Sequence, residues 1–249
     1  MHGTGDDYIF FNNQCGIITC PESFAIEFTD RHKGIGGDGI VLIEESEIAD
    51  AKMRIFNIDG SEGKMAGNAI RCVGKFLYDN NIVKKEQMSI ETASDIKALS
   101  LFTRNGKVSS VTVDMGKAEL EPNKIPVNLE GEKIISTPAV ISGQEYKINC
   151  CAVGNPHCVV FVDNVDKVRL PDIGPQFETA EIFPERINTE FVRVVNETTL
   201  KMRVWERGNG ETQACGTGAC AAVICAVENG YCSKGENLSL IHISEPTRL

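Results

Sequence analysis

The feature that most constrains the fold of this chain is an internal repeat. Shifting the sequence by 149 positions places Lys52–Phe56 on Lys201–Trp205, and the first three residues of the two segments are identical. In the same register a glutamate and a glycine of the two copies also coincide: Glu62 with Glu211, and Gly67 with Gly216. The alignment needs no gap from residue 5 to residue 67. Such self-similarity predicts two homologous halves that share one supersecondary unit.

Each copy of the repeat reads as a strand, a turn and a helix. In the second copy, Lys201–Glu206 is expected to be a strand, and a helix is expected to start near Cys215 and to end at Asn229 and Gly230. In the first copy, the helix is expected from Gly67 to about Asp79.

Cys215 therefore stands at the start of a predicted helix. The unpaired N–H groups and the positive end of a helix stabilise a thiolate, although most single cysteines are simply small buried residues. In the repeat register Cys215 corresponds to Ala66, so only one of the two positions carries a thiol.

Further apolar runs are expected to be strands, and they include Tyr8–Phe11, Ile40–Ile43, Lys97–Leu101, Cys158–Val162 and Phe191–Val195. Gly34, Gly36 and Gly39 match the spacing G-x-G-x-x-G. A dinucleotide site is rejected because that fingerprint lies between a strand and a helix, whereas here a strand follows it. We expect one half over residues 1–118, a second over 119–238, and a non-native tail over 239–249.

Composition narrows the classes of function. A net charge of −10 without a basic stripe argues against a nucleic acid or an anionic membrane surface as partner, and no apolar run is long enough to span a membrane. No signal peptide is recognised at the first residues, so the 10 cysteines are expected to be free thiols in a cytoplasmic protein. No metal site is expected either. There is no C-x-x-C, and the step of five between Cys215, Cys220 and Cys225 turns each side chain by about 140° on a helix.

Five motifs carry a resemblance to a known family. They are His2-Gly3-x-Gly5-x-Asp7-Tyr8, Asn57-x-Asp59-Gly60-Ser61-Glu62, Gly67-Asn68-x-Ile70-Arg71-Cys72, Gly154-Asn155-Pro156-His157-Cys158 and Glu206-Arg207-Gly208-x-Gly210-Glu211-Thr212-x-Ala214-Cys215-Gly216-Thr217-Gly218. Together they resemble diaminopimelate epimerase, and the last is the most specific of them. The resemblance implies an α+β (mixed α/β) fold of two pseudo-symmetric domains, each a β-sheet wrapped around a central helix, with the active site in the cleft between them.

The resemblance also implies an activity and its residues. The family interconverts LL- and meso-diaminopimelate without a cofactor, for lysine and peptidoglycan synthesis, and works as a homodimer. It assigns acid/base work to Cys215, with His157 and Glu206 as proton-handling neighbours. Residues that would bind the substrate are Asp6, Asn57, Gly67, Asn68, Asn155, Asn188, Glu206, Arg207, Gly216 and Thr217.

The chain departs from the family pattern at three positions. Ala66 stands where the other catalytic cysteine belongs, Asp6 replaces a substrate-contacting Asn, and Gly39 stands where some members have a contacting Gln. Cys72 lies six residues further along the predicted helix, about 9 Å deeper, and is not expected to replace the missing thiol.

Two alternatives remain open at this point. The chain could be a catalytically impaired or non-catalytic homologue or fragment that binds diaminopimelate, or a racemase of another amino acid on the same fold. Read without the family, Asn155 is an ordinary turn residue and His157 could be a hydrogen-bonded core histidine.

Overall fold

The computed structural model describes residues 1–3, 5–63 and 65–241. The chain divides into two compact units, of which the first is Met1–Met115 and the second begins at Gly116. The expected tail lies partly in the sheet of the second unit, where residues 239–241 form a strand, and residues 242–249 lie outside the described residues.

The described residues of the first unit form eight strands and two helices. In chain order they are β1 (His2–Gly3), β2 (Asp6–Asn12), α1 (Pro21–Thr29), β3 (Gly39–Glu44), β4 (Ala51–Asn57), β5 (Glu62–Gly63), α2 (Gly67–Asp79), β6 (Gln87–Glu91), β7 (Ile96–Arg104) and β8 (Lys107–Val113). The sheet runs β1-β2-β3-β4-β6-β7-β8, with β5 paired to β4. The pairs β2–β3 and β4–β6 are parallel and the rest are antiparallel.

The sheet of the first unit wraps around α2, which packs against β1, β7 and β8. The helix forms because Ile70, Val73 and Leu77 recur at helical spacing, and all three are fully buried. Burying each such side chain contributes roughly 1.5–3 kcal/mol. The opposite face of the sheet is covered by α1, whose Ala25 packs on Ile40. Strand β3 is therefore buried on both faces, which explains its unbroken apolar run.

In the described part of the second unit there are seven strands, two α-helices, and two short 3-10 helices at Pro122–Lys124 and Val165–Lys167. The strands and α-helices are β9 (Thr137–Ile141), β10 (Gln144–Ala152), β11 (Pro156–Phe161), α3 (Leu170–Glu178), β12 (Asn188–Asn196), β13 (Thr199–Glu206), β14 (Gly210–Thr212), α4 (Gly216–Glu228) and β15 (Ser239–Ile241). The sheet runs β14-β13-β12-β11-β10-β9, with β15 paired to β13. It wraps around α4, which packs against β10, β11, β12 and β13.

The mixed α+β fold and the two central helices agree with the sequence prediction. Helix α2 has the predicted bounds, and α4 starts beside Cys215 and is capped at Asn229. Helices α1 and α3 were not predicted. Among the described residues, no helix has the length and apolar character needed to cross a membrane, and no group of three or more His, Cys, Asp or Glu side chains is placed to hold a metal ion.

Candidate functional site

Cys215 is the N-cap residue of α4. Its backbone is extended, with φ −128° and ψ 113°, and its Sγ accepts a hydrogen bond from the backbone N of Gly218 at 3.4 Å. The Oγ1 of Thr217 also lies 3.4 Å from Sγ. The thiol thus occupies the place that a Ser or Asp oxygen takes at most helix starts. Only 7% of Cys215 is exposed.

Two opposing influences act on the thiol of Cys215. Burial raises the pKa of Cys215 well above its ordinary value, and the charges of Glu206 and Glu190 add to this rise. The hydrogen bonds from Thr217 and Gly218 act the other way, because they stabilise the thiolate and lower the pKa. Burial outweighs these two bonds, so the resting side chain is a thiol that can donate a proton.

The first turn of α4, next to Cys215, offers backbone N–H donors to an anion. The N–H groups of Gly216 and Thr217 belong to this first turn, where a helix supplies no backbone acceptor, and both residues are only partly buried. The positive end of the helix dipole acts at the same place. A carboxylate bound here would lie beside the thiol.

Glu206 lies at the end of β13, the strand that precedes β14 and the start of α4. Its Oε1 accepts a hydrogen bond from the hydroxyl of Thr212 on β14. Its charge is the second-largest cause of the raised pKa of Cys215, so the carboxylate and the thiol belong to one electrostatic environment.

The ring of His157 hydrogen-bonds to Glu190 and Asn155. It is fully buried in β11, where its Nδ1 lies 2.7 Å from Oε1 of Glu190 and its Nε2 lies 2.9 Å from Oδ1 of Asn155. Glu190 was not predicted from the sequence. The signal that could have found it is a glutamate inside the apolar strand of Asn188–Asn196, at a position where the neighbours on both sides are buried.

The side chain of Asn188 hydrogen-bonds to the backbone of Arg207. The Nδ2 of Asn188 donates to the carbonyl oxygen of Pro156 at 2.8 Å, and its Oδ1 accepts from the backbone N of Arg207 at 2.9 Å. The exposed guanidinium of Arg207 donates to the carbonyl oxygen of Glu185 at 2.8 Å. Asn188 therefore fixes the start of the turn that carries Arg207.

In the first unit, Ala66 is the N-cap residue of α2. Its φ of −136° and ψ of 116° are nearly those of Cys215, so the two halves present the same backbone position with different side chains. Asn68 follows in the first turn, and its Nδ2 donates to Oδ2 of Asp6 at 2.5 Å. Gly67, Asn68 and Asp6 are therefore close together at the start of α2.

Asn57 and Gly39 lie at adjacent strand ends. The Nδ2 of Asn57 donates to Oγ of Ser61 at 3.0 Å, and Asn57 pairs with Gly39 across β3 and β4. A Cβ at Gly39 would lie 2.5 Å from the carbonyl oxygen of Phe56. This packing leaves no room for any side chain at position 39, which accounts for the glycine.

Comparison with known proteins gives these residues a context. The sequence model of the diaminopimelate epimerase family matches residues 1–121 and 150–241. A diaminopimelate epimerase from Acetivibrio thermocellus is 50% identical over 241 residues, covering 97% of this chain and 86% of the relative. One from Desulfovibrio desulfuricans is 46% identical over 246 residues, covering 96% of this chain and 86% of the relative.

Solved structures share the fold at low sequence identity. A hydroxyproline epimerase from Agrobacterium vitis superposes with a TM-score of 0.64 at 16% identity, covering 86% of this chain and 67% of that one. A methylitaconate-delta-isomerase superposes with a TM-score of 0.62 at 13% identity, covering 98% and 85%. The match of the family model over both halves, together with relatives near 50% identity, shows that this chain belongs to the diaminopimelate epimerase family.

Proposed function

We propose that this chain interconverts LL- and meso-diaminopimelate, with Cys215 as its acid/base thiol and no second thiol at position 66. The observation that carries the proposal is the thiol at the N-cap of α4, hydrogen-bonded to Gly218 and adjacent to Thr217, in a member of this family. The substrate is inferred from the names of the relatives.

The chemistry requires removal of a weakly acidic hydrogen from the α-carbon. The electron pair of the broken C–H bond moves toward the α-carboxylate, and the N–H groups of Gly216 and Thr217 would stabilise the charge that builds there. When the thiolate of Cys215 acts as base, it takes the α-proton and becomes the thiol. In the reverse direction the thiol returns a proton to the carbanion.

Because the pKa of Cys215 is raised, the proposed reaction needs a group on the substrate that favours the thiolate. The free enzyme holds Cys215 as a thiol because of burial and because Glu206 and Glu190 carry negative charge nearby. An ammonium group of the substrate beside Glu206 would offset that charge and favour the thiolate, and the proton that the thiol loses would pass to solvent. A positively charged α-amino group is therefore part of the proposed activation.

The proposal assigns binding of the substrate to groups in both units. Asp6, Asn57, Gly67 and Asn68 would contribute from the first unit, and Asn155, Asn188 and Arg207 from the second. They offer amide and guanidinium donors to the carboxylates, and the carboxyl group of Asp6 to an ammonium group, as a substrate with two amino-acid ends requires. Asn188 would act by holding the backbone of Arg207, since both ends of its amide are bonded within the protein.

Ala66 limits the proposed reaction. A methyl group carries no proton, and Cys72 is buried in α2 with a pKa that burial raises, so it does not substitute. We therefore expect exchange of the α-hydrogen of one stereoisomer with solvent through Cys215, and slow epimerisation. We also propose a cytoplasmic homodimer that serves lysine synthesis, as the resemblance to the family implies.

The test is incubation of each pure isomer with the protein in D₂O, followed by mass spectrometry and chiral analysis. Wild type is expected to exchange the α-hydrogen of one isomer, and Cys215→Ser is expected to exchange neither. Ala66→Cys is expected to raise the rate of epimerisation by about 100-fold or more, because it supplies the missing acid/base group. Ala66→Ser is the matched control, since its hydroxyl is similar in size but a poor proton donor and acceptor.

Two results would contradict the one-thiol proposal. Exchange on neither isomer, together with no gain from Ala66→Cys, indicates a homologue that only binds diaminopimelate. Fast interconversion of both isomers by the wild type indicates that a second acid/base group is already present. Exchange with a different amino acid and not with diaminopimelate would assign a racemase of another substrate.

A further inference from the structure

Glu190 is a buried carboxylate that the proposed reaction does not place on the substrate. It lies in β12 with 0% exposure, and its Oε1 is 2.7 Å from Nδ1 of His157. Its Oε2 has no hydrogen-bond partner among the described residues. Burying an ionised carboxylate costs free energy of folding unless the group is paired. Packing alone therefore does not explain why Glu190 is buried against His157.

The contacts of His157 constrain where the protons of its ring can lie. Nε2 faces Oδ1 of Asn155 at 2.9 Å, and Nδ1 faces Oε1 of Glu190 at 2.7 Å. An amide oxygen only accepts, so with this orientation of Asn155 the ring proton of a neutral imidazole is on Nε2. A second proton must then lie between Nδ1 and Oε1.

The same carboxylate lies against the first turn of α4. A Cβ at Gly218 would be 2.5 Å from Oε1 of Glu190, so the two groups are in close contact. The N–H of Gly218 is the donor to Sγ of Cys215. Glu190 is therefore adjacent to the residue that holds the thiol, while its partner His157 holds Asn155.

The charged and titratable groups around the thiol come from several elements. Glu206 faces it from β13 and Glu190 from β12, while His157 on β11 lies behind Glu190. Burial raises the pKa of Cys158, and the hydrogen bond with Cys151 raises that of Cys225, while the charge of Glu190 adds a smaller rise to both. Glu190 thus bonds to the imidazole of His157 and acts through its charge on the thiols of Cys215, Cys158 and Cys225.

We propose that Glu190 is a positioning residue of the Cys215 site, which shares one proton with His157 and thereby fixes His157, Asn155 and the first turn of α4. The inference rests on the proposed function for its kinetic consequence, but the shared proton can be observed without any substrate. Glu190 is fully buried and is placed to act through His157 and Gly218 rather than on the substrate itself.

The test compares Glu190→Gln with the wild type. Glutamine has nearly the same shape, but its neutral amide replaces the carboxylate that shares a proton with His157. Thr189→Val is the matched control, because Thr189 is the neighbouring residue of β12, is fully buried, and has an Oγ1 without a hydrogen-bond partner among the described residues. Glu190→Asp, which keeps the charge but withdraws it from His157, is the second variant if Glu190→Gln does not fold.

The first readout is the proton NMR spectrum of the ligand-free protein labelled with ¹⁵N-histidine. We expect a far-downfield ring proton, assigned to His157 by its loss in His157→Asn. It should persist in Thr189→Val and disappear or move upfield in Glu190→Gln and Glu190→Asp. An unchanged signal in Glu190→Gln would overturn the shared proton.

The second readout is the exchange of the diaminopimelate α-hydrogen. We expect kcat to fall by about 100-fold in Glu190→Gln, with KM within about twofold of wild type and no change in Thr189→Val. Loss of the NMR signal with unchanged kcat would overturn the positioning role. If the wild type exchanges neither isomer, the proposed function fails, and the NMR comparison alone then supports or overturns the proton shared by Glu190 and His157.

Discussion

At the scale of single residues, Asp6 is a carboxyl group whose ionised form is less favourable in the folded protein than in the unfolded chain. It begins β2, and its side chain bonds to Asn68 in the first turn of α2. Burial, followed by the nearby charges of Asp38 and Asp7, raises the pKa of Asp6 to about 6, although the hydrogen bond from Asn68 acts the other way. An unfolded chain has the ordinary value of 3.8. Between about pH 4 and 6 the folded protein keeps this proton while the unfolded chain has lost it, so the contribution of Asp6 to stability falls as the pH rises through this window.

We therefore expect Asp6→Asn to become more stable than the wild type as the pH rises from 4 to 6, with a constant difference above about pH 7. Asn is neutral at every pH, keeps the size of Asp6, and can still hydrogen-bond to Asn68. Urea unfolding at a series of pH values measures the difference in the free energy of unfolding.

Asp59→Asn is the control of opposite sign. Hydrogen bonds from Ser61 lower the pKa of Asp59, so its contribution to stability is present above the unfolded pKa and is lost as the pH falls. This variant should be less stable than the wild type at neutral pH. A pH-independent difference between Asp6→Asn and the wild type would contradict the raised pKa of Asp6.

At the scale of elements, the packing of α3 on β13 depends on one glycine. A Cβ at Gly174 would lie 2.3 Å from the indole ring of Trp205, so the ring lies directly on the helix backbone. The Nε1 of Trp205 donates to Oε2 of Glu178 at 2.8 Å, which fixes the ring to the same helix. The tryptophan cannot move away without losing this bond.

Gly174→Ala is expected to destabilise the protein by about 1–3 kcal/mol, since overpacking outweighs the gain of up to about 1 kcal/mol in helix propensity. Trp205 is the single tryptophan of the chain, so its fluorescence reports both the local change and the unfolding transition. Gln176→Ala on the exposed side of α3 is the control and should shift stability by no more than about 0.5 kcal/mol. A Gly174→Ala variant as stable as the wild type would show that the ring can move.

The elements that the sequence predicted well are those with strong local patterns. Helix α2 has three buried apolar residues at helical spacing, and Ile40–Ile43 is an unbroken apolar run. Helices α1 and α3 have nine residues each and proline in the first turn, and α3 contains Pro175 as well, so their local pattern is weak. They form because tertiary packing on the sheets outweighs propensity.

The candidate site was predictable only in part for a similar reason. A cysteine beside a helix start is visible in the sequence, and so is its absence at Ala66. The partner of His157 is not visible, because Glu190 is 33 residues away and becomes its neighbour only through the parallel pairing of β11 with β12. No hairpin turn joins two parallel strands, so no local turn signal fixes which residues of β11 and β12 become neighbours.

At the scale of the whole molecule, the repeat extends to elements that the sequence comparison did not reveal. Helices α2 and α4 each have thirteen residues and start 149 positions apart, and α1 and α3 are separated by the same interval. Strand β15 pairs parallel with β13 as β6 pairs parallel with β4. The two halves therefore share one plan, in which each sheet encloses its own helix.

This plan predicts that residues 1–115 fold as an isolated fragment. Among the described residues, the strand pairings of the first sheet join strands within this unit, and α2 buries its apolar face against strands of the same unit. We expect the fragment to show a mixed helix and sheet circular dichroism spectrum, protected amides in α2, and a cooperative urea transition. A fragment of residues 1–95 is the control, because it lacks β7 and β8, which cover α2. An unfolded 1–115 fragment would contradict the prediction and show that the core of the first unit depends on the rest of the chain.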